Sequence, residues 1–152
     1  KAAEIATQSG IPLIIANSRK KNVILDALDG KPLGTYFKPL MRMPHAKRWI
    51  AYGASIKGQI HVNEGAKKAV LNGASLLAVG ITNVTGQFTV GEVVSLVDED
   101  GKELGKGMVN YTSEEINLIK GLKTTQIHKI LGYVGLKEIV THKRMHIMEA
   151  EE

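Results

Sequence analysis

Cysteine is absent from the 152 residues, which excludes a disulfide scaffold and any zinc site built on thiolates. Aromatic residues are scarce at 5%. The interior must therefore rest on Ile, Val, Leu and Ala, and few rings (Tyr52, Tyr111, Tyr133) are available for stacking on single-stranded bases. No apolar run is long enough to span a bilayer, so no membrane partner is expected and cytoplasmic residence fits. No Ser/His/acid order and no carboxylate pair in an apolar setting stands out, and no residue is assigned a catalytic role. His142 and His146 are four apart and share a face in a strand, but a metal site needs further ligands, and none is assigned. Gly101 to Lys106 looks like a phosphate loop, yet Leu104 is the last of only three residues between its glycines. Gly107 stands where Ser or Thr would bind magnesium, and the stretch falls in a hairpin.

What is present is ordinary globular material: 43% apolar and 23% charged residues, enough for a core and too little charge for a disordered chain. The net charge of +5 is unevenly spread. Lys38 to Lys68 holds seven Lys/Arg against Glu64 alone, and Lys120 to Arg144 holds six against Glu138 alone. Between them, Glu92 to Glu115 holds seven acids against Lys102 and Lys106. If the fold joins the two basic blocks, they form a surface for polyanions; otherwise they serve as a solubilising coat.

Residues 2–9 have helical spacing, with Gly10 in the C-cap position. Ile11 to Ala16 is a short apolar run of the kind buried on both faces of a parallel sheet. Asn22 is expected to cap a short helix from Val23 to Leu28, and Gly34-Thr35-Tyr36-Phe37 reads as one more short strand. This is the cadence of the last unit of an α/β domain. Residues 38–55 show no period and read as a linker running up to Trp49 and Ile50. From Ile56 the pattern changes. A strand to Val62 precedes a helix capped by Asn63, with Ala66, Ala69 and Val70 inward and Gly73 at its end. Short strands follow at Leu76–Val79 and Ile81–Val84, then a hairpin around Asp98-Glu99-Asp100-Gly101. Thr112 and Glu115 form a capping-box start. Thr124 begins another helix, with Ile127, Ile130 and Leu131 inward and Gly132 at its end. Glu138 to Met148 closes a sheet. The expected class is α+β: a small mixed β pseudo-barrel with short helices, behind a truncated α/β tail.

Three ordered stretches carry a family likeness. Lys1-Ala2-Ala3-Glu4-Ile5-Ala6, Gly10-Ile11-Pro12 and Ile14-Ile15-Ala16, with Gly34-Thr35-Tyr36-Phe37, resemble the end of the kinase domain of glutamate 5-kinases. Lys47-Arg48-Trp49-Ile50, Gly58 and Asn63-Glu64-Gly65-Ala66 resemble that family's entry into its PUA domain, a module named for pseudouridine synthases and archaeosine transglycosylases. Gly73 to Ile81, Gly107-Met108-Val109-Asn110-Tyr111, Ser113-Glu114-Glu115 and Ile130-Leu131-Gly132-Tyr133 are similar to its body. Val79 departs from the proline of many PUA domains, and Lys143-Arg144 makes the last strand unusually basic.

The resemblance implies a division into residues 1–45, a remnant of an amino-acid-kinase domain plus linker; 46–148, a PUA domain; and 149–152, an acidic tail. It implies a piece of a longer enzyme that transfers the terminal phosphoryl group of ATP, with magnesium, to the side-chain carboxylate of L-glutamate and so opens proline synthesis. ATP and magnesium belong to that parent, and no residue here is assigned to either. The fragment alone is expected to be inactive. It would be a regulatory or structural module whose partner is its own kinase domain in a homo-oligomeric parent. RNA is the alternative partner. In RNA-binding PUA relatives the first helix, the strand after it and the last strand form the contact face. Here those positions hold Lys67, Lys68, the stretch from Gly73 to Gly80, His142, Lys143 and Arg144, with Lys57 at the start of the first strand. The first and last strands are expected to be neighbours, which would merge both basic blocks.

Overall fold

The structure, a computed structural model, describes residues 1–39, 44–133 and 135–148. The expected acidic tail at 149–152 and the middle of the expected linker, residues 40–43, lie outside them. The chain divides into two units, Lys1–His45 and Ala46–Glu152.

In the first unit, α1 (Ala2–Gln8) leads to β1 (Leu13–Ile15), then α2 (Val23–Leu28) and β2 (Thr35–Phe37). Gly10, at φ 71°, ends α1 in a Schellman motif: Ile11 N donates to Ala6 O and Gly10 N to Thr7 O. Gly30 ends α2 in the same way. Asn22 does not cap α2 with its side chain; it takes the left-handed conformation instead, at φ 60°. β1 pairs antiparallel with β2, Leu13 opposite Phe37. Gly34 is required at this ladder: it sits at φ 60°, and a Cβ there would run into the Ile15 carbonyl. The expected doubly buried parallel strand is not formed within this unit. Ile14 and Ile15 are 39% and 57% exposed, because two strands alone have no layer to cover their faces.

α3 (His45–Arg48) begins at the boundary residue and runs into the second unit, where a π-helical turn, Trp49–Gly53, follows. The stretch read as a linker running up to Trp49 and Ile50 is thus helical at its end, with Ile50 and Ala51 buried. A π turn closes i→i+5 bonds, here Ala54 N to Trp49 O at 2.9 Å, and so carries no 3.6-residue period for a sequence reading to find. Lys106 Nζ caps its end by donating to Ala51 O at 3.1 Å.

Six strands then form one mixed sheet. They are β3 (Ile56–Val62), β4 (Leu76–Leu77), β5 (Ile81–Gly86), β6 (Val93–Val97), β7 (Glu103–Val109) and β8 (Glu138–Ile147), in the order β4-β8-β7-β6-β3-β5. All pairs are antiparallel except β3 with β6. The two edge strands, β4 and β5, are joined in the chain by the three-residue 3₁₀ turn Ala78–Gly80. The sheet must curl until its edges meet, which gives a half-barrel. The first and last strands are not neighbours, contrary to expectation: the β6–β7 hairpin lies between β3 and β8.

Helices α4 (Glu64–Leu71), α5 (Ser113–Ile119) and α6 (Thr124–Leu131) decorate this sheet. Asn63 caps α4 by accepting from Ala66 N at 2.8 Å. Thr112 and Glu115 form a reciprocal capping box on α5. Ile60, Leu76, Leu96, Ile116, Ile139 and Tyr111 lie in a single core, each large aliphatic stabilising the fold by about 1.5–3 kcal/mol. Two inward assignments are corrected. Ala69 is exposed, and Ile130 is 52% exposed because Ile127 and Leu131, four apart, already define the buried face of α6.

Candidate nucleic-acid interface

The interface begins with the packing of α4 on the turn after β4. Gly80 permits it, since a Cβ there would collide with the Ala66 methyl group. Gly80 is therefore a packing glycine, and its carbonyl accepts from Asn63 N at 2.9 Å. Gly73 is a turn glycine: at φ 84° it ends α4 in a Schellman motif, with Ala74 N donating to Ala69 O. Between helix and turn lies a mainly apolar groove of about 340 Å³, lined among others by Asn63, Ala69, Ser75, Leu77 and Val79.

Beside Ser75, which lines this groove, β8 carries its basic residues on a bulge. Val140 lies opposite Val109 and Met145 opposite Gly107, so β8 carries four residues, Thr141–Arg144, where β7 has only Met108. Such an insertion leaves residues unpaired and re-aims their side chains. His142, Lys143 and Arg144 are all exposed on it. Ser75 anchors the bulge: its Oγ accepts from His142 N at 3.1 Å and lies 3.5 Å from His142 Nδ1. Arg144 leans on Met108, with Nη1 3.7 Å from the sulfur. His146 turns to a different neighbour, its ring centroid 6.1 Å from that of Tyr52.

The other predicted cations fare differently. Lys68 is exposed on α4, with Glu64 at 3.8 Å. Lys67 is engaged: its Nζ is 2.9 Å from Asp98 Oδ2 and 3.8 Å from Glu64. The hydrogen bond to Asp98 raises the pKa of Lys67 and, in return, holds the Asp98 carboxyl below the usual range. Lys57 is exposed on β3, with β6 and β7 between that strand and β8. Of the predicted positions, Gly80 lines the groove and His142 is tied to it through Ser75; Lys68 is exposed on α4, one wall of the groove, Arg144 turns to Met108, and Lys57 lies apart. Ser75 lies within the Gly73 to Gly80 stretch but is not singled out by the sequence, because it pairs across 67 residues and leaves no local signal. The sequence reading missed Asp98, whose place at the head of the Asp98–Gly101 turn was visible though its partner was not.

Comparison with known proteins shows what the chain is similar to. Residues 58–131 match the PUA domain family. The chain is 41% identical over 155 aligned residues to the glutamate 5-kinase of Thermoanaerobacter sp. (strain X514), covering 100% of this chain and 41% of that protein. It is 44% identical over 142 residues to the glutamate 5-kinase of Thermosynechococcus vestitus, covering 92% of this chain and 38% of that one. Among solved structures it resembles a PUA domain from Aeropyrum pernix K1 with a TM-score of 0.43 and 23% identity, over 56% of this chain and 41% of that chain. The chain spans about two fifths of the length of the curated relatives it matches. Its residues 58–131 are similar to the PUA domain family, and the chain is similar, from end to end, to a segment of the glutamate 5-kinases.

Proposed function

We propose that this chain is the C-terminal part of a glutamate 5-kinase, in which residues 1–45 complete the kinase domain and the PUA unit is a structural and regulatory module acting on it. The parent, a cytoplasmic homo-oligomer, would transfer the γ-phosphoryl group of ATP to the side-chain carboxylate of L-glutamate, giving L-glutamyl 5-phosphate and ADP at the head of proline synthesis. Such a transfer depends on positioning and on neutralising charge, with magnesium supplying part of the latter. No residue of this chain is assigned to either task. One observation carries the reading. The first unit leaves Ile14, Ile15, Ile24, Leu25, Leu28 and Tyr36 exposed, far more apolar surface than a unit of its size keeps in water. In the parent the rest of the kinase domain would cover it. The test is a chimera in which residues 1–152 replace the matching segment of the Thermoanaerobacter relative. Glutamate-dependent ADP formation is expected. It should disappear with Ile14→Asp and Leu25→Asp together, and survive deletion of residues 56–148 with an altered response to proline. A soluble chimera without glutamate-dependent turnover would end the reading.

A second reading, RNA binding by the PUA unit, is favoured by the basic bulge of β8, which His142 ties to Ser75 in the groove lining. Lys68, Lys143 and Arg144 would meet phosphates, and the apolar groove offers a base a surface away from water. A fluorescein-labelled RNA stem-loop with a single-stranded tail, titrated at low and moderate salt, tests it. Binding that saturates and weakens with salt supports RNA recognition, whereas no saturation at micromolar protein removes it.

A further inference from the structure

The linear charge pattern pairs Lys67 with Lys68 as two adjacent cations on one helix. The fold treats them differently. Lys68 extends into solvent with 72% of its side chain exposed, whereas the Lys67 ammonium reaches the Asp98 carboxylate. Asp98 is not a mobile surface acid. Its side chain is 5% exposed, and its second oxygen accepts from Lys102 N at 2.8 Å and from Asp100 N at 3.2 Å. The β6–β7 turn therefore fixes the carboxylate before Lys67 arrives, so little further ordering is needed to form the pair. Exposed ion pairs lose most of their value to that ordering and to screening; here the acid is preorganised. Glu64 stands on the other side of Lys67, and Glu99 and Asp100 extend the acidic tip of the hairpin.

We propose that Asp98 is a specificity-determining residue that withholds Lys67 from polyanions, so that the anion-binding face runs along Lys68 and the β8 bulge and stops at the β6–β7 hairpin. The ligand in this statement rests on the RNA reading above; the withholding of Lys67 does not. A phosphate that took Lys67 would leave Asp98 buried without its cation and would itself lie beside the acids of the hairpin. Contacts on this domain would then be counted without Lys67.

The test uses residues 1–152 with K67A, K68A, D98N and the double variant D98N/K67A. The amide introduced by D98N keeps the oxygen that the turn N–H groups need and removes the charge that holds Lys67. One readout is the slope of log affinity against log salt for the labelled RNA, where each phosphate contact on a single strand adds about 0.7. The other is the salt needed to elute each protein from immobilised heparin. K67A should match the wild type in both. D98N should steepen the slope by about 0.7, one contact's worth, and elute later. The double variant should return to the wild-type values, and K68A should lose a contact. A K67A protein that loses a contact, or a folded D98N that gains none, overturns the proposal. If D98N fails to fold by circular dichroism, the K67A comparison decides alone. If no protein binds the RNA saturably, the RNA reading falls, and the heparin elution of K67A and D98N still supports or overturns the withholding of Lys67.

Discussion

The two units use the same kinds of residue and give them opposite fates. In the first, Ile24 and Leu28 of α2 are 73% and 80% exposed; in the second, Ile116 and Ile119 of α5 are both 0% exposed. Each helix carries a local terminal signal, the Gly30 cap that ends α2 and the capping box that begins α5. The difference lies in what each helix meets. α5 packs on β5 of a six-stranded sheet, whereas the first unit holds only the β1–β2 ladder. Local sequence chemistry makes an element; burial requires a partner layer, and an apolar face without one marks where a partner belongs.

The contrast breaks most visibly under truncation. Ile116→Ala should cost about 2–5 kcal/mol, the loss of a buried aliphatic plus its cavity. Leu28→Ala should stay within about 0.5 kcal/mol. Urea denaturation of the chain checks both, and equal losses would mean that α2 is covered in solution. Next in size is Gly80→Ala. Its new methyl group must push α4 off the β4–β5 turn, an overpacking cost of about 1–3 kcal/mol, and the groove should change shape with it. Gly30→Ala in the first unit and Gly73→Ala in the second meet open space, at φ 74° and 84°. Each should cost about 1 kcal/mol from left-handed strain alone. A clear difference between these two would show that the units differ in more than what covers them.

The features legible in the sequence were those whose partners lie within one turn. The capping box of Thr112 and Glu115, the Asn63 cap, the glycines after α1, α4 and α6, and the hairpin at Asp98–Gly101 all close contacts of three to five residues. The α+β half-barrel followed from the number and brevity of such elements. Strand order did not follow. Nothing local says that β8 joins β4 and β7 and is separated from β3 by two strands. For the same reason the two basic blocks were expected to meet along paired strands, whereas the fold brings β8 to the α4 region through β4 and Ser75. The β8 bulge was hidden because it is a mismatch with β7, a property of two strands and not of one. The Lys67–Asp98 pair spans 31 residues; the sequence offered Lys67 as a free cation because adjacency, not geometry, was all it displayed.

The smallest effect expected concerns the loop after α6 and separates two acid-sensitive contacts within the second unit. Glu115, inside the capping box, accepts from Thr112 N at 2.9 Å and from the Tyr133 hydroxyl at 2.7 Å. Partial burial pushes its carboxyl up, but the hydrogen bonds from Thr112 and Tyr133 more than offset this, and the group titrates below its ordinary value. Asp98 is also lowered, chiefly by the Lys67 ammonium. Both acids therefore bind protons more weakly when folded than when unfolded. Their contribution is present above the unfolded carboxylate range, about 4, and is lost as pH falls through the folded values. Tm should be level from about pH 8 to 5 and decline below about pH 4. Tyr133→Phe removes one donor from Glu115 and should make that decline shallower, while K67A should do so through Asp98. At the alkaline end the Tyr133 hydroxyl is pushed up to about 12 by burial and by the Glu115 carboxylate. Its hydrogen bond is fully stabilising below the ordinary tyrosine range, about 10, and is lost as pH rises through the folded value. The phenylalanine variant should lack that alkaline loss. Parallel melting curves for Tyr133→Phe and wild type at both extremes would mean that the loop after α6 is held by Tyr111, whose hydroxyl donates to Leu136 O, and not by the Tyr133–Glu115 bond.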